Sequence, residues 1–443
     1  MSCSGVIKTM NKQVKNTLAC AIGNTLEWFD YTLYGLFATT LSKLFFPANN
    51  DSSLLLTYLV FAFGFFSRPL GGIVLGYIGD VFGRRLALII SILTMSIPTF
   101  LTGLLPTYDS IGIMAPVSLA IIRLFQGIAI GGDFSGSMVY LVEHAPPKKR
   151  GFFGSWSDFG SPLGVLLGLS VSSLLITCMD TADFESYGWR IPFLLGVVIA
   201  IFGVYLRYEM EETESFFCQY SMENDKNQMP RKSSGKTGIK DKNSIMETIK
   251  KHTKTIVYAV SINAYGGVVF YMLLTYLHNY FKVTEIATPL QAFFFTTLVN
   301  LCMTIAIPVG GLLSDRFGRK PVMMSSIVGT MLCVFPMFIT IGHENLCLHL
   351  LFEIAVGSCL GVFFGGRAAF YAESFPTNVR CTAIALSFGI SHSVFAGTTP
   401  LMAEIIMKNT GSCFYLGLFM FAFAIFALFA MHQLEDRTAQ KLL

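Results

Sequence analysis

The lengths of the uncharged runs restrict this chain's fold more than any other feature. Residues 86–108, 159–179, 191–206, 255–281, 286–314, 321–342, 381–403 and 409–434 contain no Asp, Glu, Lys or Arg. A bilayer-spanning helix needs about 20 mostly apolar residues. Four further segments, near 18–45, 54–79, 112–144 and 346–373, are as apolar but hold isolated charges, so the sequence predicts twelve spans. Composition excludes a soluble domain: 13% of residues are charged and 53% hydrophobic, whereas a soluble chain carries about 25% charged residues. An outer-membrane barrel is excluded because its strands alternate polar and apolar residues over about 10 positions, and these runs are continuous. The polar, basic first 16 residues lead into a stretch too long and too polar in its middle for a cleaved signal. It is read as the first helix.

The positive charges assign a topology. With the N-terminus in the cytoplasm, 24 of the 31 Lys and Arg fall on cytoplasmic segments, 4 on outside segments and 3 inside helices. By the positive-inside rule, both termini are cytoplasmic. Residues 210–254 are polar and rich in Lys, Ser, Gly and Asn. They are read as a solvated linker, partly disordered, rather than a nucleic-acid or anionic-lipid patch. The expected division is therefore 1–209, a first six-helix half; 210–254, the linker; and 255–443, a second half. Ten cysteines are scattered without a C-x-x-C pair, so neither a zinc site nor a disulfide framework is expected. No other metal or cofactor motif is present.

The two halves repeat each other. Gly76-Tyr-Ile-Gly-Asp80-Val-Phe-Gly83-Arg84-Arg85 reappears as Gly311-Leu-Leu-Ser-Asp315-Arg-Phe-Gly318-Arg319-Lys320. Glu143-His-Ala-Pro-Pro-Lys-Lys-Arg150 likewise answers Glu373-Ser-Phe-Pro-Thr-Asn-Val-Arg380, and Gly127 and Gly131 answer Gly357 and Gly361. Two matches in the same order describe a duplicated six-helix unit with both copies oriented alike, the parallel-repeat plan of some secondary transporters. The loop G-x-x-x-D-x-x-G-R-[RK], between helices 2 and 3 and again between 8 and 9, resembles the signature of the major facilitator superfamily across essentially the whole chain. That resemblance implies two halves rocking around a central site. It also implies that Asp80, Gly83, Arg84, Arg85, Asp315, Gly318, Arg319 and Lys320 form a cytoplasmic gate. The residues themselves are equally compatible with a static topological anchor: glycine permits the tight reversal, and a short carboxylate accepts from nearby amides and arginines.

Charges within the predicted spans are few and concentrated. A charged residue at the bilayer centre costs about 2.5–3.5 kcal/mol on insertion scales, so such residues are expected to face a partner or a wet cavity. Helix 1 carries Asn24, Glu27, Asp30 and Tyr31; helix 2, Arg68; helix 4, Arg123, Gln126 and Asp133; helix 5, Trp156 and Asp158; helix 10, Glu353 and Arg367. Static ion pairs between helices account for any one of these, but the set exceeds what helix association needs. A shielded carboxylate alternating between a dry site and an arginine neighbour takes up and releases a proton. Arginine matches a solute carboxylate, and aromatic faces hold a quaternary ammonium. Glycine rows such as Gly160, Gly164, Gly168 and Gly357, Gly361, Gly365 are read as seams for close helix contact.

Several stretches narrow the resemblance. Gly23-Asn24-Thr-Leu-Glu27-Trp28-Phe29-Asp30-Tyr31, Ser67-Arg68-Pro69-Leu-Gly71-Gly72, Arg123-Leu-Phe-Gln126-Gly127 and Gly188-Trp189-Arg190-Ile-Pro192-Phe193 are similar to the metabolite:proton symporter family. Gly154-Ser-Trp156-Ser-Asp158-Phe-Gly160-Ser161 and Tyr271-Met-Leu-Leu-Thr275-Tyr276 resemble its proline/glycine-betaine branch. The resemblance implies proton coupling at Glu27, Asp30 and Asp133 and carboxylate binding at Arg68 and Arg123. The polar cluster itself adds Asp158 as a proton-coupling candidate and Asn24, Tyr31, Gln126, Trp156 and Arg367 as solute-binding candidates. Two departures stand out: Phe388-Gly389-Ile390-Ser391 lacks an asparagine common in the family, with His392 beside it, and the family's Glu-Glu-Thr-Pro reads Glu211-Glu212-Thr213-Glu214 here. A lone membrane histidine is more often a packed hydrogen-bonding group than a proton carrier.

The expected function is proton-coupled import of a small zwitterion by a monomeric carrier in a bacterial inner membrane. Proline or betaine is favoured over dicarboxylates or tricarboxylates. An efflux antiporter of the same fold and a transporter-like sensor are the alternatives. An enzyme is disfavoured, because no nucleophile–base pair, metal motif or phosphate loop is present.

Overall fold

The computed structural model describes residues 3–47, 53–217, 250–284, 286–341, 346–440 and 442, and those residues hold helices and no strands. Most of the expected linker, 218–249, lies outside them. The long helices are α1 (Cys3–Leu36), α2 (Ser53–Phe66, continuing as Arg68–Val81), α3 (Arg84–Leu104), α4 (Met114–His144), α5 (Arg150–Cys178) and α6 (Arg190–Tyr208). The second set comprises α7 (Thr253–Tyr271, extended to Val283), α8 (Pro289–Phe317), α9 (Arg319–Ile339), α10 (Leu346–Ser374), α11 (Arg380–Ser391, extended to Thr410) and α12 (Phe414–Gln433). Eleven helices among the described residues are long and apolar enough to cross a membrane. The twelfth, α1, is 34 residues long but falls outside that count. Its middle carries Asn24, Glu27 and Asp30, all buried against protein.

Local sequence explains the breaks. Gly83 and Gly318 end α2 and α8 at φ 109° and 98°, where a side chain would be strained. At the start of α8, Thr288 and Gln291 form a reciprocal capping box with Pro289 in the first turn, which satisfies otherwise orphaned amides. Pro98, Pro162, Pro308 and Pro336 sit inside helices, as membrane helices tolerate when neighbours re-satisfy the backbone. The glycine rows are packing seams: a Cβ added at Gly164 would lie 2.4 Å from the Thr25 carbonyl oxygen, and one at Gly365 would lie 2.3 Å from that of Ile307. These approaches bring α5 onto α1 and α10 onto α8.

Within each half the helices pack mostly on one another, and two seams join the halves: α2 against α11, and α5 against α8 and α10. Along both seams glycine permits near-contact of backbones, at Gly72 facing Ala385 and at Gly311 facing Gly151. The two repeated loops lie at one end of the bundle, here called the loop end. Three segments among the described residues have π-type hydrogen bonding: Phe184–Gly188 just before α6, Met272–Leu277 in α7 and His392–Ala396 in α11. Such turns are frequent at functional positions.

Candidate functional site

The loop end is closed by the repeat itself. Asp80, at the end of α2, accepts hydrogen bonds from the amides of Cys381 and Thr382 at 3.0 and 2.9 Å. Asp315, at the end of α8, accepts from the amides of Gly151 and Phe152, both at 2.8 Å. Each carboxylate therefore caps the first turn of a helix in the opposite half, α11 or α5, where amides point outward and the helix dipole favours negative charge. The arginines complete the closure. Glu143 meets Arg380 at 2.6 Å and Arg84 at 3.3 Å, while Glu373 meets Arg319 at 3.3 Å and Arg150 at 3.4 Å. In both sets the Glu holds one arginine of its own half and one of the other. Arg85 and Lys320 instead reach back within their halves, to the carbonyls of Tyr208 and of His432 and Leu434.

Above this closure lies a central cavity lined by Trp28, Phe134, Asp158, Ser161, Gly267, Phe270, Phe364, Arg367, Phe388 and His392. Asp158 on α5 and Arg367 on α10 form an ion pair across it, about two helical turns inside the loop end. Arg367 lies over the rings of Phe364 at 4.2 Å and Phe134 at 5.1 Å. On the side away from the loops, Trp28 of α1 meets Phe270 edge-on at 5.0 Å, Phe65 of α2 meets Tyr271 at 5.8 Å, and the Ser393 hydroxyl donates to the Phe65 carbonyl at 2.5 Å. The cavity holds about one water molecule, so a solute enters only with a shift of these walls.

The expected site residues separate into groups. Asp158 and Arg367 reach the cavity. Asp30 and Arg123 make a second buried pair at 2.7 Å within the first half, with Arg123 over Tyr34 at 4.0 Å. Arg68 lies over Phe65 at 4.2 Å and Tyr31 at 5.0 Å, and its Nε and Nη1 have no hydrogen-bond partner. Glu27 is 2% exposed with neither carboxylate oxygen hydrogen-bonded. The remaining residues have other partners. Asp133 is held by Arg207 at 2.5 and 3.0 Å and by the Ser91 hydroxyl. Gln126 donates to Thr99 at 3.0 Å, and Asn24 donates to the Ser157 carbonyl at 2.6 Å.

Two sequence expectations need correction. Trp156 does not face the cavity; it packs on Phe152 and Phe159, beside a cluster containing Cys20 and Tyr140. The tryptophan in the wall is Trp28, which the helix 1 motif contained but the expected site did not. Arg207, counted among cytoplasmic charges, is fully buried as the partner of Asp133. His392 lines the cavity with its Nδ1 3.1 Å from the Phe388 carbonyl oxygen and its ring stacked on Phe388, which combines packing with access to the site.

Comparison with known proteins agrees with this architecture. The sugar (and other) transporter family model matches residues 16–442. A proline/betaine transporter of Escherichia coli K12 is 36% identical over 89% of this chain and 78% of its own length. A glycine betaine/proline/ectoine/pipecolic acid transporter of Dickeya dadantii is 34% identical over 94% and 81%, respectively. A solved structure of the proton:xylose symporter XylE superposes with a TM-score of 0.80 over 98% of both chains at 19% identity, which establishes a shared fold. The chain is a multi-pass membrane protein of the sugar (and other) transporter family, with the major facilitator fold.

Proposed function

We propose that this protein imports a small zwitterion, of the proline or betaine type, together with protons across a bacterial inner membrane by alternating access. The observation that carries the reading is the central cavity, where one guanidinium and one carboxylate from opposite halves meet among aromatic walls. An arginine fork suits a carboxylate, and aromatic faces suit a substituted ammonium. A dicarboxylate would bring two negative charges to a site that already holds Asp158. The proline/betaine relatives support the same solute class.

The proton is assigned to Asp30, with Glu27 as a second carboxylate on the same helix. Asp30 meets Arg123 away from the cavity, and its Oδ1 has no partner. Protonation would release Arg123 and weaken the contact between α1 and α4. Asp133 is the poorer carrier, because Arg207 and Ser91 hold it. The energetics are adequate: one net positive charge moving inward gains about 2.3 kcal/mol per 100 mV. At about 1.36 kcal/mol per tenfold, that supports roughly 50-fold accumulation before any pH gradient is added. On this reading the loop end faces the cytoplasm, its repeated loops form the gate, and one chain contains the whole pathway.

The test is uptake of labelled proline, glycine betaine and a dicarboxylate into proteoliposomes, with and without an imposed proton gradient. Gradient-driven accumulation of the zwitterions is expected. Uptake indifferent to the gradient, or confined to the dicarboxylate, would overturn the reading.

A further inference from the structure

We infer that Asp158 and Arg367 form a split receptor for a zwitterion, Arg367 taking the carboxylate and Asp158 the ammonium, and that Asp158 thereby sets solute selectivity. The inference rests on the zwitterion reading above and moves Asp158 from proton coupling to solute recognition. Three observations support it. First, the pair joins the halves inside the cavity, whereas the other ion pairs between halves among the described residues, Glu143–Arg380 and Arg150–Glu373, belong to the loop-end closure. Second, its hydrogen-bonding capacity is only partly used. Asp158 Oδ2, Arg367 Nε and the cavity-lining Ser161 Oγ are buried without a hydrogen-bond partner, although buried polar atoms are normally paired. Third, the aromatic surface that would hold a solute cation already holds one, since Arg367 lies over Phe364 and Phe134.

The direct pair is thus a mimic of the solute: an anion and a cation in contact, boxed by rings. A molecule carrying both charges can insert between them and leave each side chain with an opposite charge. Neither partner is then left as an uncompensated buried charge, the costly outcome when a buried pair is split. A simple carboxylate satisfies Arg367 but leaves Asp158 unpaired, and a simple quaternary ammonium does the reverse. The two groups ride on opposite halves, so the inserted solute also bridges the bodies that move against each other. Occupancy then biases their approach only through interactions that differ between states.

Binding of three ligands of matched shape to the purified full-length chain in detergent tests the inference. They are glycine betaine, 3,3-dimethylbutyrate (the isostere with carbon in place of nitrogen) and ethyltrimethylammonium, which lacks the carboxylate. The wild type is expected to prefer betaine to each analogue by at least about tenfold, one full unit of log affinity. In Asp158→Asn the preference over dimethylbutyrate is expected to collapse toward unity. In Arg367→Gln the preference over ethyltrimethylammonium is expected to collapse instead. A wild type that binds the isostere as well as betaine overturns the inference without reference to any variant's folding, as does Asp158→Asn that keeps the wild-type ratio. If wild-type proteoliposomes accumulate betaine while the ratios fail, only the split receptor falls. If they accumulate no zwitterion, the underlying reading falls first and the receptor with it.

Discussion

Asp80 and Thr382 stand 302 positions apart in the chain, yet the Asp80 carboxylate accepts both the amide and the hydroxyl of Thr382, at 2.9 and 2.7 Å. With the Cys381 amide as a third donor, one side chain at the end of α2 pins the first turn of α11 in the other half. Hydrogen bonds to a charged group contribute about 1.5–3 kcal/mol each. Removing the carboxylate should therefore shift the open–closed balance at the loop end by at least about tenfold. Cys381 is 2% exposed and serves as the reporter. In a background with the other cysteines replaced, Asp80→Ala is expected to raise the rate of Cys381 modification by a membrane-impermeant maleimide applied from the loop end. An unchanged rate would mean that the Asp80 contacts do not hold the gate.

The glycines following these aspartates face a backbone constraint. Gly83 has φ 109° and ψ 151°, and Gly318 has φ 98° and ψ 155°, a region that is nearly glycine-only and costs about 1–3 kcal/mol for other residues. Gly83 is also crowded, since an added Cβ would lie 2.2 Å from a Glu212 carboxylate oxygen that caps α3. Gly83→Ala and Gly318→Ala are each expected to lower the midpoint of thermal unfolding in detergent, Gly83→Ala by more. Because the sites lie in different halves, the two losses should add. Equal stability of Gly83→Ala and the wild type would refute the strain argument.

The sequence disclosed some of this and concealed the rest for physical reasons. Spans follow from apolar run length, and the loop-end closure is signalled by a motif whose residues are neighbours along the chain. The proton and solute sites depend on how each helix is rotated. In a multi-helix bundle a polar residue can face the cavity or a neighbouring helix, and helical spacing alone does not separate the two. Asp133 and Asp158 therefore look alike as isolated carboxylates in apolar helices. One proved to be bound by Arg207 from α6 and the other by Arg367 from α10. Arg207 sits where α6 meets the linker, so a rule based on loops counted it as solvated. The structure shows what makes room for it: a Cβ added at Gly23 would lie 1.8 Å from the Arg207 Nη2 atom.

That pairing gives a prediction about Asp133. Removing one partner of a buried ion pair costs about 3–5 kcal/mol, whereas removing both can be nearly neutral. Arg207→Gln alone is expected to lower thermal stability sharply, and the double variant Arg207→Gln/Asp133→Asn to recover most of the loss. The double variant should still accumulate solute in response to a proton gradient. Gradient-independent uptake by a stable double variant would return Asp133 to the coupling mechanism.

The assignment of the proton to Asp30 is separable from solute binding. Asp30→Asn keeps the size of the side chain and a hydrogen bond toward Arg123, but cannot change charge. It is expected to insert normally and to exchange labelled for unlabelled solute across the membrane at equilibrium, while failing to accumulate solute under a gradient. Normal accumulation would remove Asp30 from the mechanism, and loss of exchange as well would make it a solute-site residue instead.

The two tryptophans of α1 and α5 provide the most direct check on helix rotation. Trp28 is in the cavity wall and in edge contact with Phe270 of the opposite half, whereas Trp156 packs on Phe152 and Phe159 outside it. Trp28→Ala removes an aromatic face from the site and a bridge between the halves. A cation–aromatic contact is worth about 2 kcal/mol when desolvated, so the KM for betaine should rise by about tenfold or more. Trp156→Phe retains most of the packing volume and should leave KM within about twofold. The reverse pattern, with Trp156 sensitive and Trp28 tolerant, would place α5 in a different rotation and take Asp158, two residues further along the same helix, out of the cavity with it.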